Sequence, residues 1–311
     1  MDEEALLNGL NSGKVAGAAL DVYSVEPPGE ELYELLKHPN LVCTPHLGAS
    51  TEEAQVNVAR DIANQMCDVF DQTDYVGIVN VSYMAEATRA PMKPFMALAE
   101  TIGAITAQLS DSNIMKATLK TWGGRDADIS TRKARELLEA QMLKGLVRCQ
   151  VQGVVPDLIS APGAAKEANI ESIISSDAPE NVGSPYWNLL SVEVEREDGS
   201  CSHITGSVFG SVPHIVQIDE FRDLFSFKPE GNHILTFRNE DKPGAISSVL
   251  EILGNAKINI GSINVARNTL SDQSRPTALC FMSLDSNIPT KALRALKALP
   301  TLDKVSKIEL N

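Results

Sequence analysis

The sequence predicts an α/β protein in three parts, and three observations predict it. Near the N-terminus two short apolar runs, residues 15–22 and 41–44, each stop at a polar or proline-bearing loop. Buried parallel strands do this where they reach the carboxyl edge of an open sheet. Across residues 113–227 strand-like and helix-like stretches alternate, the pattern of an independent α+β module. From residue 231 onward the order reads βαββαβ, the ferredoxin-like unit.

Taken in order, residues 2–10 form an amphipathic helix with an acidic first turn, closed by Asn11, Ser12 and Gly13. The strand at 15–22 follows. One helix and one strand do not complete a doubly wound sheet, and no Gly-x-Gly-x-x-Gly turn for a pyrophosphate occurs in the chain. After the run at 41–44, Ser50 and Thr51 with Glu52 and Glu53 signal a helix start. Ala54, Val58, Ile62, Met66, Val69 and Phe70 then recur at helical spacing. Residues 71–75 break that helix, 76–81 read as a short strand, and 91–109 as a helix with Phe95, Leu98, Ile102, Ile105 and Leu109 along one face.

The middle part reads as a strand at 115–120, a helix at 130–146, an apolar loop at 154–161, a helix at 164–174 and strands at 189–195 and 201–209. Glu197, Asp198, Gly199 and Ser200 supply the hairpin turn between the last two. Trp122, Tyr186 and Trp187 are expected to be packing anchors. In the last part strands at 233–238, 258–267, 277–284 and 305–309 enclose helices at 245–255 and 289–299, with Lys242-Pro243-Gly244 turning into the first helix.

Composition bounds the function. The 311 residues suffice for two or more domains. With 27 basic and 41 acidic residues the net charge is −14, which repels nucleic-acid phosphates and anionic lipid, so both are set aside as partners. The five cysteines, at 43, 67, 149, 201 and 280, show no CxxC spacing, which suggests neither a metal site nor a disulfide framework and points to a reducing, cytoplasmic setting. No apolar run reaches the roughly 18–20 residues of a membrane span, and the opening Met1-Asp2-Glu3-Glu4 is acidic where a targeting peptide is basic.

Glu26 and His46 lie on adjacent strand-to-loop exits, and together they are the parts of a carboxylate-oriented general acid/base. Imidazole titrates near neutrality without large perturbation, and a neighbouring carboxylate raises its pKa. Blander readings stand beside this one. A lone histidine in an apolar segment is more often structural, Glu26 before Pro27-Pro28 is also a plain turn carboxylate, and Asp21 at a strand end is also a turn cap.

The run Ala19-Leu20-Asp21-Val22-Tyr23-x-x-Glu26-Pro27-Pro28, followed by Thr44-Pro45-His46-Leu47-Gly48-Ala49-Ser50-Thr51, resembles the closing segment of the D-isomer-specific 2-hydroxyacid dehydrogenases, and within them the phosphoglycerate dehydrogenases. The resemblance implies a partial Rossmann-like tail of a nucleotide-binding domain over residues 1–82, with NAD as cofactor and 3-phosphoglycerate as substrate. It implies that His46 is the acid/base and Glu26 holds its ring, while Asp21 contacts the nicotinamide amide and His46, Leu47, Gly48 and Ala49 lie along the cofactor. In the family the arginine that clamps the substrate carboxylate sits on a loop before the first helix here, so this chain by itself is expected to be inactive, a C-terminal portion of a larger enzyme.

Thr205 to Gly210 and Ile215 to Ile218 are similar to the intervening, allosteric substrate-binding domain of that family, assigned to residues 83–228, where His214 and Arg222 fall near basic residues for an anionic effector. Residues 229–311 resemble an ACT domain, a regulatory module that binds amino acids between paired copies. The resemblance places L-serine, as feedback effector, on Asn239, Asp241 and Asn259, and implies a homo-oligomer. Asp241 before a helix is equally a simple cap. A rival reading of another class is a non-catalytic amino-acid-binding regulatory subunit.

Overall fold

In the computed structural model, which describes residues 1–71, 73–79, 81–124, 127–148, 156–178, 186–221, 226–229, 231–268 and 276–310, the chain divides into two units, Met1–Gly77 and Ile78–Asn311. Asn80, Cys149, residues 154–155 and Arg222 lie outside the described residues.

In the first unit Asp2 accepts the amide of Ala5 at 2.9 Å and so starts helix α1 (Glu3–Asn11), whose acidic first turn complements the helix dipole. Strand β1 (Ala18–Leu20), the short helix α2 (Tyr33–Leu36) and strand β2 (Leu41–Cys43) follow. β1 and β2 pair in parallel, Ala18 opposite Leu41 and Leu20 opposite Cys43. Leu10, Leu20 and Leu35 form the small core between them. Helix α3 (Glu52–Phe70) begins where the Thr51 hydroxyl accepts the Ala54 amide at 3.2 Å. Its apolar positions Val58, Ile62, Met66 and Phe70 are exposed, and no residue of the helix is buried. The strand expected at 76–81 is not formed among the described residues. The chain turns at Gly77 (φ +86°), and no neighbouring strand offers it a ladder.

The second unit opens with α4 (Met84–Ala87) and α5 (Lys93–Gln108), the latter buried through Phe95, Leu98, Ile102 and Ile105. Then come β3 (Ile114–Gly123), α6 (Arg132–Arg148), α7 (Ala161–Glu167), β4 (Glu171–Ile174), β5 (Asn188–Arg196), β6 (Cys201–Phe209) and β7 (Val212–Ile218). The strands form one sheet in the order β4-β3-β5-β6-β7, antiparallel except for the β3–β4 pair, and α5 lies across it with α6 packed against α5. Two expectations are corrected here. The helix expected at 164–174 ends at Glu167; Asn169 takes a left-handed conformation (φ +58°), and the β-branched Ile173 and Ile174 extend the sheet as β4. Trp187 is 76% exposed rather than a packing anchor, because the first strand residue, Asn188, turns its own side chain inward to the main chain of Val208.

The remaining elements are β8 (His233–Glu240), α8 (Ala245–Asn255), β9 (Ile260–Arg267), β10 (Thr277–Leu284), α9 (Thr290–Lys297) and β11 (Leu302–Glu309). Their sheet order, β11-β8-β10-β9, is the expected ferredoxin-like arrangement. Alternation along the strands sends Leu235, Phe237, Cys280 and Met282 to the helices, where they pack with Val249, Leu253 and Leu296. The opposite face meets the first part of the unit: Phe281 packs on Phe227 at a centroid distance of 5.1 Å. Arg238 donates to Asp219 at 2.6 Å and to Glu220 at 2.9 Å across the same seam. No described helix is long and apolar enough to cross a membrane.

Candidate functional site

Because β1 and β2 are parallel neighbours, the loops that leave them emerge at the same edge, and this juxtaposition builds the site. Asp21 follows β1 directly. Its carboxylate accepts three donors from the loop after β2: the Thr44 hydroxyl at 2.5 Å and the amides of Leu47 and Gly48 at 2.6 and 2.7 Å. Those bonds hold the carboxyl below the ordinary aspartate range, the Thr44 hydroxyl contributing most. The clamped loop carries His46 in a left-handed conformation, φ +56°, which a non-glycine residue adopts only where its surroundings hold it there.

The His46 ring meets Glu26, with Nδ1 2.8 Å from Oε2. The second carboxylate oxygen, Oε1, accepts the Tyr23 amide at 3.0 Å, so Glu26 is itself oriented. A carboxylate only accepts, hence Nδ1 carries the proton and Nε2 is the nitrogen left to exchange one. The hydrogen bond to Glu26, then its charge, raise the His46 pKa above the ordinary 6.5; the same bond, with the Tyr23 amide, lowers that of Glu26. The His46 side chain is 57% exposed, open to a reactant. Leu47, Gly48 and Ala49 continue from it into a single helical turn, and the Ala49 carbonyl accepts the Gln55 side-chain amide at 2.6 Å.

The three expected effector residues are distributed differently. Asn239, next to last in β8, donates from its amide nitrogen to the Glu240 carbonyl at 2.7 Å, and its buried Oδ1 has no partner among the described residues. Asp241 is not a helix cap. Its carboxylate pairs with Arg267 Nε on the edge strand β9, beyond β10, at 2.8 Å, and α8 starts instead from Gly244. Asn259 donates to Asp285 at 2.7 Å and lies at the far end of the sheet, since Thr277 of β10 faces Glu240 whereas Leu284 faces Ile260. The length of β10, roughly 24 Å at ~3.4 Å per residue, separates Asn259 from the other two within one chain. The His214 ring lies tilted against Phe209, centroids 4.8 Å apart, and its Nδ1 is 3.0 Å from the Ser226 hydroxyl.

Sequence reasoning did not single out Thr44 or Arg267. A hydroxyl-bearing residue at the end of the strand beside Asp21 is a weak signal for the first. The second is visible only through the register that puts Arg267 opposite Ala278 at the Asp241 end of the sheet.

Three family models match this chain in succession: the D-isomer specific 2-hydroxyacid dehydrogenase NAD binding domain over residues 1–48, the D-3-phosphoglycerate dehydrogenase intervening domain over 91–219 and the ACT domain over 233–301. Among curated relatives, proteins named D-3-phosphoglycerate dehydrogenase from Methanocaldococcus jannaschii and Bacillus subtilis are each 32% identical, over 310 and 317 aligned residues. That of Archaeoglobus fulgidus is 33% identical over 310 residues. Each alignment covers 100% of this chain and 55–56% of the relative, so the chain spans about half the length of the curated relatives it matches.

Proposed function

We propose that this chain belongs to the D-isomer specific 2-hydroxyacid dehydrogenase family, with the three-part plan of its phosphoglycerate dehydrogenases, and that it serves the NAD-dependent oxidation of 3-phospho-D-glycerate to 3-phosphohydroxypyruvate under L-serine feedback. This reaction opens L-serine synthesis. The observation that carries the reading is the His46–Glu26 pair on a loop clamped by Asp21. Residues 1–82, 83–228 and 229–311 are taken as the nucleotide-binding tail, intervening domain and ACT domain, and the cytoplasm as the setting.

The residues present fit the nicotinamide end of NAD. Asp21 Oδ1 already takes two donors, whereas Oδ2 takes only the Gly48 amide, which leaves an acceptor position for a carboxamide N–H. When bound, NAD supplies the hydride acceptor. His46 Nε2 takes the proton of the substrate 2-hydroxyl as hydride leaves carbon, and Glu26 stabilises the imidazolium that forms. A raised pKa suits a group that must return the proton in the reverse direction. The chain by itself is proposed to be inactive, because its sequence holds no glycine-rich pyrophosphate turn and, among the described residues, the parallel sheet of the first unit has two strands.

For the effector site, the free acceptor at Asn239 Oδ1 suits an ammonium, and the remoteness of Asn259 is supported best by a site shared between two copies. β9 is the edge strand that would pair, with Ile263 and Val265 each 43% exposed.

The test joins this chain to the upstream half of the B. subtilis relative. The chimera is expected to reduce NAD with D-3-phosphoglycerate, and its His46→Gln variant is expected to lose that activity. A folded chimera that binds L-serine yet turns over no substrate would favour a regulatory subunit over an enzyme.

A further inference from the structure

Between the C-terminal turn of α5, the β5–β6 hairpin and strands β8 and β11 there remains a cleft of about 520 Å³ within the second unit. Its walls hold two buried polar groups without partners. Arg196, 4% exposed at the end of β5, donates from Nη1 to the Ser202 hydroxyl and from Nη2 to the Thr106 carbonyl, each at 2.8 Å. Its Nε–H has no acceptor, and no carboxylate pairs with the guanidinium among the described residues. Thr236, 1% exposed on β8, has no partner for its hydroxyl among the described residues. Lys304 lines the same cleft from the irregular start of β11, where its backbone is held at φ +48°.

A buried guanidinium without a counter-ion is unfavourable, and a buried hydroxyl without a bond adds to it. Three carboxylates line the cleft, and none accepts the Arg196 Nε–H: Asp219 is held by Arg238 at 2.6 Å, Asp198 accepts the Ser200 amide at 2.9 Å inside the hairpin turn, and Asp111 is exposed, so the first two act on the guanidinium by charge alone. Donors on three separate strands surround one volume, which suits an anion with oxygens in three dimensions better than a planar carboxylate.

We propose that this cleft binds a phosphate group, free or carried by a small metabolite, through Arg196 Nε–H, the Thr236 hydroxyl and the Lys304 ammonium. The site is separate from the effector surface, because Thr236 and Asn239 point to opposite faces of the sheet, and it lies at the other end of β7 from His214. An occupant bridges the two parts of the second unit. Arg238, adjacent in sequence to Asn239, also lines the cleft, so occupancy is coupled to the strand that carries the effector residue.

The experiment is calorimetric titration of the 311-residue chain with inorganic phosphate and, separately, glycerol 3-phosphate, on the parent and three variants. Thr236→Val removes a hydroxyl that the fold leaves unused, and Lys304→Gly removes the ammonium while relieving the positive φ, so both are expected to melt no lower than the parent. Saturable binding at one site per chain, weakened about tenfold in each of these two variants and unchanged in Asp241→Ala, is the expected result. Tighter binding of the phosphomonoester identifies a metabolite, and equal affinity the free ion. Absence of binding, or equal binding by the parent, Thr236→Val and Lys304→Gly, overturns the proposal and leaves ordered water as the partner of Arg196 and Thr236. None of these readouts depends on dehydrogenase activity or on serine.

Discussion

The side chain of Gln108, the last residue of α5, treats Glu309 of β11 as a neighbouring strand would: its Nε2 donates to the Glu309 carbonyl and its Oε1 accepts the Glu309 amide, each at 2.9 Å. With the Ser306 hydroxyl on the Leu109 carbonyl and Arg148 on the Leu310 carbonyl, this closes one edge of the four-stranded sheet and leaves β9 as the other.

Gln108→Ala is therefore expected to destabilise the second unit by about 1–3 kcal/mol, since it leaves a part-buried main-chain amide unsatisfied. Urea unfolding would read the loss, and hydrogen exchange would place it at β11. Unchanged protection at Glu309 would show that the amide pairing contributes nothing.

Gly145→Ala carries the opposite sign from ordinary helix propensity. In an exposed helix interior alanine would stabilise by about 1 kcal/mol. Here α6 crosses α5 so closely that a Cβ on Gly145 presses into the Glu100 carbonyl and one on Gly103 into the Met142 carbonyl. A loss of about 3 kcal/mol is expected from the forced separation of the helices. A melting temperature equal to or above that of the parent would refute the close crossing.

Glu26→Gln should return the His46 pKa toward its ordinary value, because both the accepting carboxylate and its charge are removed. The raised pKa means that the pair stabilises the fold below the unfolded histidine value, near 6.5, and that this stabilisation is lost as pH rises through the folded value. Imidazole NMR titration of the two proteins checks it. In the chimera, the ascending limb of the pH–rate profile for oxidation should move to lower pH in the variant while the maximum rate falls.

A shared effector site predicts complementation. Asn239→Ala and Asn259→Ala should each abolish serine binding alone, whereas a mixture of the two chains should recover it, since each mixed dimer then holds one intact site. Calorimetry on the mixture decides between this and a site within one copy, for which mixing restores nothing. Sedimentation at micromolar concentration should show association, and a clean monomer counts against the shared site.

Much of this protein was legible from local pattern alone. Helix α8 and strand β10 fall at the expected residues, the hairpin turn at 197–200 forms, and Glu26 meets His46. Apolar spacing and turn residues are properties of neighbours in the chain, and burial imposes the same periods whatever lies opposite. Tertiary structure decided what depends on partners far away in sequence. The stretch at 164–174 has helical composition at its start, but part of it became β4 because β3 offered a parallel edge. Asp241 found Arg267 rather than a helix end, Asn259 was carried to the far end of the sheet, and two helical glycines became the contact between α5 and α6. Where the chain bends and which stripes are apolar follow from local sterics and residue type. Which of those stripes are buried, and which side chains meet, follow from register and helix crossing set by the packing of whole surfaces, as the exposed stripe of α3 and the exposed Trp187 show.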